Sequence, residues 1–314
     1  MRKKYPMVCI IILNWNGKKL LKKCLDSLIN LTDYPNYRII IVDNGSTDGS
    51  VDFIKNNYKN IDIVALDRNY GFTGGNNIGI KYAEKKYKPE YFLLLNNDTE
   101  IIQKDWLKKL VESAKKYKAG IVGCKLLYPD RKIQHAGINT TFLSEHIGRY
   151  ENEDKYSEIR YVNAVTFACV LINRNVFEKI GLLDEIFFSG HEDIDFCFRA
   201  RKNGIKILYN GKVKIIHYES ASYKNIFNEK RWYMERFGGF VNTLRHKNFL
   251  FFIFIVCFYI FESFFERKNP KISLSSFFIR PRKNFVKMLK LTIKALKFSI
   301  LSYKKIKIKR FNES

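Results

Sequence analysis

The sequence predicts an α/β fold on a mostly parallel sheet, and three observations carry that expectation. Short β-rich apolar runs alternate with longer amphipathic segments from the N-terminus onward. Polar clusters follow the first, second and fourth of those runs, where open α/β sheets keep their ligand crevice. A composition of 46% hydrophobic and 28% charged residues is that of a globular chain, not of a disordered one. The 314 residues leave room for one large domain with an appendage or for two small ones.

Val8 to Leu13 reads as the first strand. With the basic residues before it this segment imitates a signal peptide, but polar Asn14-Trp15-Asn16-Gly17 replaces the small-residue cleavage site. Lys18 to Asn30 reads as a helix, Arg38 to Val42 as a strand, Ser50 to Asn57 as a helix and Ile61 to Leu66 as a strand. Asn76 to Tyr87 is a further helix and Tyr91 to Leu95 the fourth strand. Beyond Gly120 the alternation loosens: Tyr161 to Ile172 is strand-like, Ile194 to Asn203 helix-like, and Lys206 to Tyr209 and Lys212 to Ile216 are strands. This half reads as a second lobe on the same sheet. The six cysteines include no C-x-x-C pair and sit mostly among apolar neighbours, as reduced, buried cytosolic thiols do.

Four clusters carry chemistry. Asp43 ends a buried strand and faces the crevice, where a carboxylate accepts hydrogen bonds from a base or ribose; Asp48, beside a helix start, fits turn and N-cap chemistry. Asn69 to Gly79 reads as a glycine-rich loop leading into a helix, and such loops let backbone N–H groups approach phosphates. It fits neither G-x-G-x-x-G nor the P-loop pattern. Asn96-Asn97-Asp98 offers one hard oxygen ligand at a strand end, enough for a divalent cation whose shell diphosphate oxygens complete; a plain β-turn explains the same residues. Glu192, Asp193 and Asp195 open a helix just after aromatic Phe187 and Phe188, where a general base would stand, although a helix dipole also favours acids there. His217 ends a strand, a place where histidine is often structural.

In order along the chain, these motifs resemble the family 2 inverting glycosyltransferases: Val8 to Gly17, Ile41 to Ser50, Asn69 to Gly79, Leu94 to Thr99, Glu178 to Glu185 and Glu192 to Arg199. The nearest branch is similar to the bacterial and archaeal rhamnosyl- and galactofuranosyl-type enzymes. The resemblance covers residues 6 to 222. It implies a GT-A fold, in which a Rossmann-like nucleotide-binding half merges with an acceptor-binding half, over residues 1 to 246. It further implies that Asn14, Asn16, Asp43, Asn69, Gly74, Gly75, Asn76 and Asn97 bind the nucleotide sugar. Asp193, with Glu192 beside it, takes the catalytic-base position. Asp98 takes the metal aspartate's place, with His217 as a further ligand and Mg or Mn as the cation. Asn96 stands where many relatives have the first aspartate. The implied partners are a nucleotide diphosphate sugar donor and a glycan or lipid-linked acceptor.

The net charge of +25 suggests a nucleic acid, an anionic membrane or a phosphorylated ligand as partner, and its placement favours the membrane. From Arg267 onward stand 15 Lys or Arg against Glu313 alone. Residues 247 to 314 therefore read as a helical, membrane-associating appendage. Phe249 to Phe261 is unbroken apolar sequence, about 20 Å as a helix against a hydrocarbon core of about 30 Å, so an interfacial or re-entrant segment suits it better than a span. Lys283, Lys287, Lys290, Lys294 and Lys297 recur at helical spacing among large aliphatics, a basic amphipathic pattern suited to an anionic surface. The expected place is the cytoplasmic face of the cell membrane. A polyprenyl-phosphate sugar synthase of the same fold is a rival, lacking here its usual paired transmembrane helices. A nucleic-acid-binding protein is another, disfavoured by the acids in the crevice and by a basic stripe interleaved with large aliphatics; no nucleic-acid partner is expected.

Overall fold

The computed structural model describes residues 5–141, 144–218, 228–267, 279–281 and 284–303. Expectations placed on residues 1–4, on 219–222, on Lys283 and on the basic tail after 303 lie outside the described residues. The chain forms two compact units: Met1–Glu185 with Asp193–Lys224 and Ile308–Ser314, and Ile186–Glu192 with Asn225–Lys307.

The first unit begins with β1 (Val8–Asn14), α1 (Lys18–Asn30), β2 (Tyr37–Asp43), α2 (Ser50–Asn57), β3 (Asp62–Ala65), α3 (Gly71–Tyr87) and β4 (Tyr91–Asn96). A short β5 (Thr99–Ile101), α4 (Trp106–Lys116) and β6 (Ile121–Leu127) follow. Then come β7 (Ile133–His135), β8 (Ile138–Asn139), β9 (Glu145–His146), β10 (Ile159–Tyr161), β11 (Cys169–Asn173), α5 (Arg174–Ile180), α6 (Glu192–Lys202) and β12 (Ile207–His217). One sheet runs β10-β12-β6-β11-β4-β1-β2-β3, with β5 on β12 and β7 on β6. The first four strands are parallel, while β11 is antiparallel to both its neighbours. The second lobe thus extends the first lobe's sheet, as the sequence led us to expect.

Side chains of a strand alternate between faces, so a strand covered on both sides is apolar throughout. In β1, Val8, Ile10 and Ile12 join the core under α1 and α4. Cys9 and Ile11 join the opposite core with Ile80, Phe177 and Phe196. In α1 the buried residues Leu21, Cys24, Leu25 and Leu28 keep the spacing of one helix face. Five of the six cysteines are buried and all six are free thiols; burial pushes the Cys9, Cys24 and Cys197 thiols up to about 12.

Three elements differ from the sequence reading, each for a physical reason. The strand-like run Tyr161 to Ile172 holds the end of β10 and most of β11, separated by a segment in which Ala164 makes a single bridge to Ile138 and Val165 is buried by packing. The glycine-rich stretch is helix from Gly71 onward, not loop. A Cβ on Gly75 would lie 2.3 Å from Leu13 Cδ1, and one on Gly74 3.0 Å from Tyr70 Cβ, so these glycines let α3 lie close against β1 and its own first turn. The two strands expected at 206–216 are one strand with a bulge: Asn210 pairs with Cys124 and Lys214 with Lys125, leaving Gly211, Lys212 and Val213 extra. A Cβ on Gly211 would lie 2.0 Å from the Tyr156 carbonyl oxygen, so only glycine passes there. Beside the bulge, buried Lys125 donates from Nζ to the Glu153 and Lys155 carbonyls, and burial pulls its pKa down to about 8.

The second unit holds α7 (Asn228–His246), α8 (Phe249–Phe264), a hairpin of β13 (Phe265–Arg267) and β14 (Ile279–Pro281), and α9 (Phe285–Tyr303). The appendage expected from 247 onward therefore includes α7 as well. Phe240, Phe252, Ile255 and Tyr259 are buried within it, yet large apolar side chains also lie on its outside. The face of α9 packed inward carries Met288, Thr292, Ala295 and Ser299, while Val286, Ile293, Phe298, Ile300 and Leu301 are exposed. Ser263 bonds Thr292 at 2.8 Å, Trp232 Nε1 donates to Thr292 Oγ1, and Arg236 donates to Glu262. On α8, Leu250 is 77% and Phe249 72% exposed, with Ile253, Phe254 and Phe261 also exposed. Among the described residues no helix is long and apolar enough to cross a membrane.

Candidate active site

The carboxyl ends of β1, β2 and β4 finish in register. Asn14 pairs with Asp43 across β1 and β2, and Leu13 with Asn96 across β1 and β4. The expected site residues therefore converge without any loop having to reach. Asn14 is fully buried: its Nδ2 donates to Asp43 Oδ2 at 2.9 Å and its Oδ1 accepts from Asn97 Nδ2 at 2.8 Å. Asp43 Oδ1 accepts from the Ser46 N–H at 2.9 Å. One carboxamide thus ties the β2 corner to the β4 corner. Asn16 closes the corner from outside, its Oδ1 accepting from the Thr47 N–H at 2.7 Å. Asp48 accepts from the Lys18 N–H and the Ser50 N–H, the first residues of α1 and α2, which is the N-terminal helix chemistry expected of it.

Asn69 and Asn44 knit the start of α3 to β2. Asn69 Oδ1 accepts from the Gly71 N–H and from Asn44 Nδ2, and Asn44 Oδ1 accepts from the Tyr70 N–H. Asn76 is buried in α3 and donates to the Phe72 carbonyl one turn back. Asn44 and Ser46 were not among the residues singled out in the sequence, although their position beside Asp43 at a strand end was a usable signal.

Asp98 and His217 meet because β12 runs antiparallel to β5 with His217 opposite Thr99. His217 Nε2 lies 3.1 Å from Asp98 Oδ1 and 3.3 Å from Asn96 Nδ2, and both Asp98 and His217 are more than nine-tenths buried. Nε2 and Oδ1 stand at hydrogen-bond distance, and an imidazole nitrogen beside a carboxylate oxygen also suits a divalent ion. Among the described residues no group of three or more His, Cys, Asp or Glu side chains gathers into a metal site; Asp98 and His217 are the two that could hold an ion here.

The three acids of α6 separate into different roles. Asp195 is fully buried and accepts from Arg199 Nε at 2.7 Å, while Arg199 also donates to the Ile180 and Leu182 carbonyls. Removing one member of so buried a pair costs about 3–5 kcal/mol, so Asp195 belongs to the fold. Glu192 is buried. Asp193 is half-buried at the start of α6 and hydrogen-bonds the Thr166 side chain and the backbone of Phe167 and Ile194, yet burial outweighs these bonds and raises its carboxyl to about 6. A carboxylate held near neutrality inside a protein suits proton abstraction.

A family model described as glycosyl transferase family 2 matches residues 9–181. The O-antigen biosynthesis protein RfbC of Myxococcus xanthus is 32% identical over 69% of this chain, and the chain spans 18% of that protein's length. The rhamnosyltransferase WbbL of Escherichia coli is 27% identical over 77% of this chain and 97% of its own. Among solved structures, the mannosyltransferase PcManGT from Pyrobaculum calidifontis, in complex with GDP-Man and Mn2+, superposes with a TM-score of 0.56. It is 13% identical and covers 96% of this chain and 88% of its own. At that identity the likeness is one of fold, a mixed α/β fold around a central sheet.

The raised carboxyl of Asp193 has a signed consequence for stability. Its ordinary value is 3.8 and its folded value about 6, so its contribution to folding is fully present below 3.8 and is lost as pH rises through 6. Asp193→Asn cannot ionise. Its melting temperature should match the parent's at pH 3.5 and exceed it at pH 8, as scanning calorimetry at the two pH values would show. A variant that melts lower at pH 8 would mean that ionised Asp193 supports the fold.

Proposed function

The chain belongs to glycosyl transferase family 2, and from that premise we propose that it is an inverting transferase acting on a nucleotide diphosphate sugar. It moves the sugar to a hydroxyl of a glycan or lipid-linked glycan in cell-surface polysaccharide or glycoconjugate synthesis. The relative named a rhamnosyltransferase supports a deoxyhexose as the sugar. The observation that carries the reading is the presence of two groups at the strand ends, the Asp43–Asn14–Asn97 corner and the adjacent Asp98 and His217 side chains.

In this reading Asp43 and Asn14 hold the nucleoside, and the start of α3, fixed by Asn44 and Asn69, flanks it. Asp98 and His217 would hold a Mg or Mn ion, as Mn2+ accompanies GDP-Man in the fold neighbour. When bound, the ion supplies positive charge to the diphosphate as it departs. Asp193 takes the proton from the acceptor hydroxyl. That oxygen bonds to the anomeric carbon as the bond from the same carbon to the diphosphate oxygen breaks on the opposite face, inverting the configuration with no covalent intermediate.

The exposed apolar side chains of α8 and α9 support a peripheral place on an anionic membrane, at the cytoplasmic face where nucleotide sugars are made. Exposed Val286, Ile293 and Ile300 share the outer side of α9 with Lys290 and Lys297. Each such lysine contributes about 1 kcal/mol near anionic lipid, an attraction that salt weakens.

Two measurements test the reading. With a panel of nucleotide diphosphate sugars and Mn2+, the protein should transfer one sugar with inversion. Asp193→Asn should keep donor binding by calorimetry while turnover falls about 10² or more, and Asp98→Ala should lose the metal-stimulated rate; unchanged turnover in both variants would refute the assignment. For the membrane, full-length protein should sediment with anionic vesicles and far less with neutral ones. The double variant Leu250→Asp, Leu301→Asp should remain in the supernatant, and equal sedimentation of parent and variant would refute that part.

A further inference from the structure

His217 is held from behind by a side chain that no sequence motif singled out. Gln134, on β7, is buried at 3% exposure. Its Oε1 lies 2.6 Å from His217 Nδ1, and its Nε2 donates to the His217 backbone carbonyl at 3.4 Å. The second contact fixes the first: a carbonyl oxygen can only accept, so the amide nitrogen must face it and the amide oxygen must face the ring. An amide oxygen also only accepts, so Nδ1 carries a ring proton and Nε2 is the nitrogen turned toward Asp98.

We propose that Gln134 is a positioning residue for the cation site. It locks His217 in the Nδ1–H form and aims the Nε2 lone pair at the space beside Asp98. This rests on the reading of Asp98 and His217 as cation ligands, and it adds a residue 83 positions away in sequence. Ligating histidines generally donate their other N–H to an oxygen acceptor, and losing that acceptor typically weakens metal affinity 10- to 100-fold. A carboxamide in place of the commoner carboxylate orients the ring without adding negative charge to a pocket that already holds Asp98. Asn96 Nδ2 stands on the opposite side at 3.3 Å, a contact compatible with the same ring form.

The test uses the full chain with two substitutions. Gln134→Leu removes the acceptor, whereas Gln134→Glu keeps it. Mn2+ binding is read by electron paramagnetic resonance of the free ion, and the His217 ring form in metal-free protein by long-range ¹H–¹⁵N correlation, with the His217→Asn spectrum assigning the signal. Parent and Gln134→Glu should show the Nδ1–H form and bind Mn2+ within about threefold of each other. Gln134→Leu should lose the single ring form and bind about 10- to 100-fold more weakly. The proposal is overturned if the parent ring is Nε2–H, if Gln134→Leu keeps both ring form and affinity, or if Gln134→Glu falls as far as Gln134→Leu. A parent that binds no Mn2+ removes the cation reading and with it the positioning role, while the ring form still reports whether Gln134 governs the tautomer.

Discussion

The site depends on backbone register. Because Asn14 stands opposite Asp43 and Leu13 opposite Asn96, three strands that must be apolar to form the sheet release their first polar residues at the same level. The polar corner then needs only short bonds among neighbours to become fixed. A slip of one residue in β1 would turn Ile10 and Ile12 to the opposite face and carry Asn14 away from Asp43 and Asn97. The pressure that builds the core is therefore the pressure that builds the site.

The Asp98–His217 corner depends on a less regular feature. The residues inserted at 211–213 shift β12 against β6 and let its end pair with β5, which puts His217 opposite Thr99 and its ring beside Asp98. That bulge requires Gly211 beneath the Tyr156 carbonyl, and the adjoining loop is held by Lys125. The imidazole is then turned by Gln134 from one side and met by Asn96 from the other. Residues from β4, β7 and β12 thus bring one imidazole nitrogen and one carboxylate oxygen face to face.

What was legible in the sequence was local. Asn14, Asp43, Asn97 and Asp98 could be placed because each lies within three residues of the end of a buried run, so position in the chain gives position at the strand ends. The first strands and helices were legible for the same reason. The start of α3 was not, because glycines that permit a helix to lie against a strand look the same as glycines that shape a loop. Gln134 was not, since its meaning lies in a contact with His217 that only the sheet creates. Among the three acids of α6, Asp195 could be assigned to the fold only when Arg199 was seen to hold it. The C-terminal region was legible as apolar and basic, but not which side of each helix faces outward. The structure turns Thr292 and Ser299 inward and Ile293 and Ile300 outward.

The central claim is that Asp98 and His217 face each other in order to share a divalent cation with a nucleotide diphosphate. Anomalous diffraction at the manganese edge, from crystals of the full chain grown with Mn2+ and a nucleoside diphosphate, tests it most directly. The account predicts one strong peak at coordination distance from Asp98 Oδ1, His217 Nε2 and the diphosphate oxygens together. A diphosphate bound in the crevice with its manganese held away from Asp98 and His217, or with no manganese at all, would contradict it.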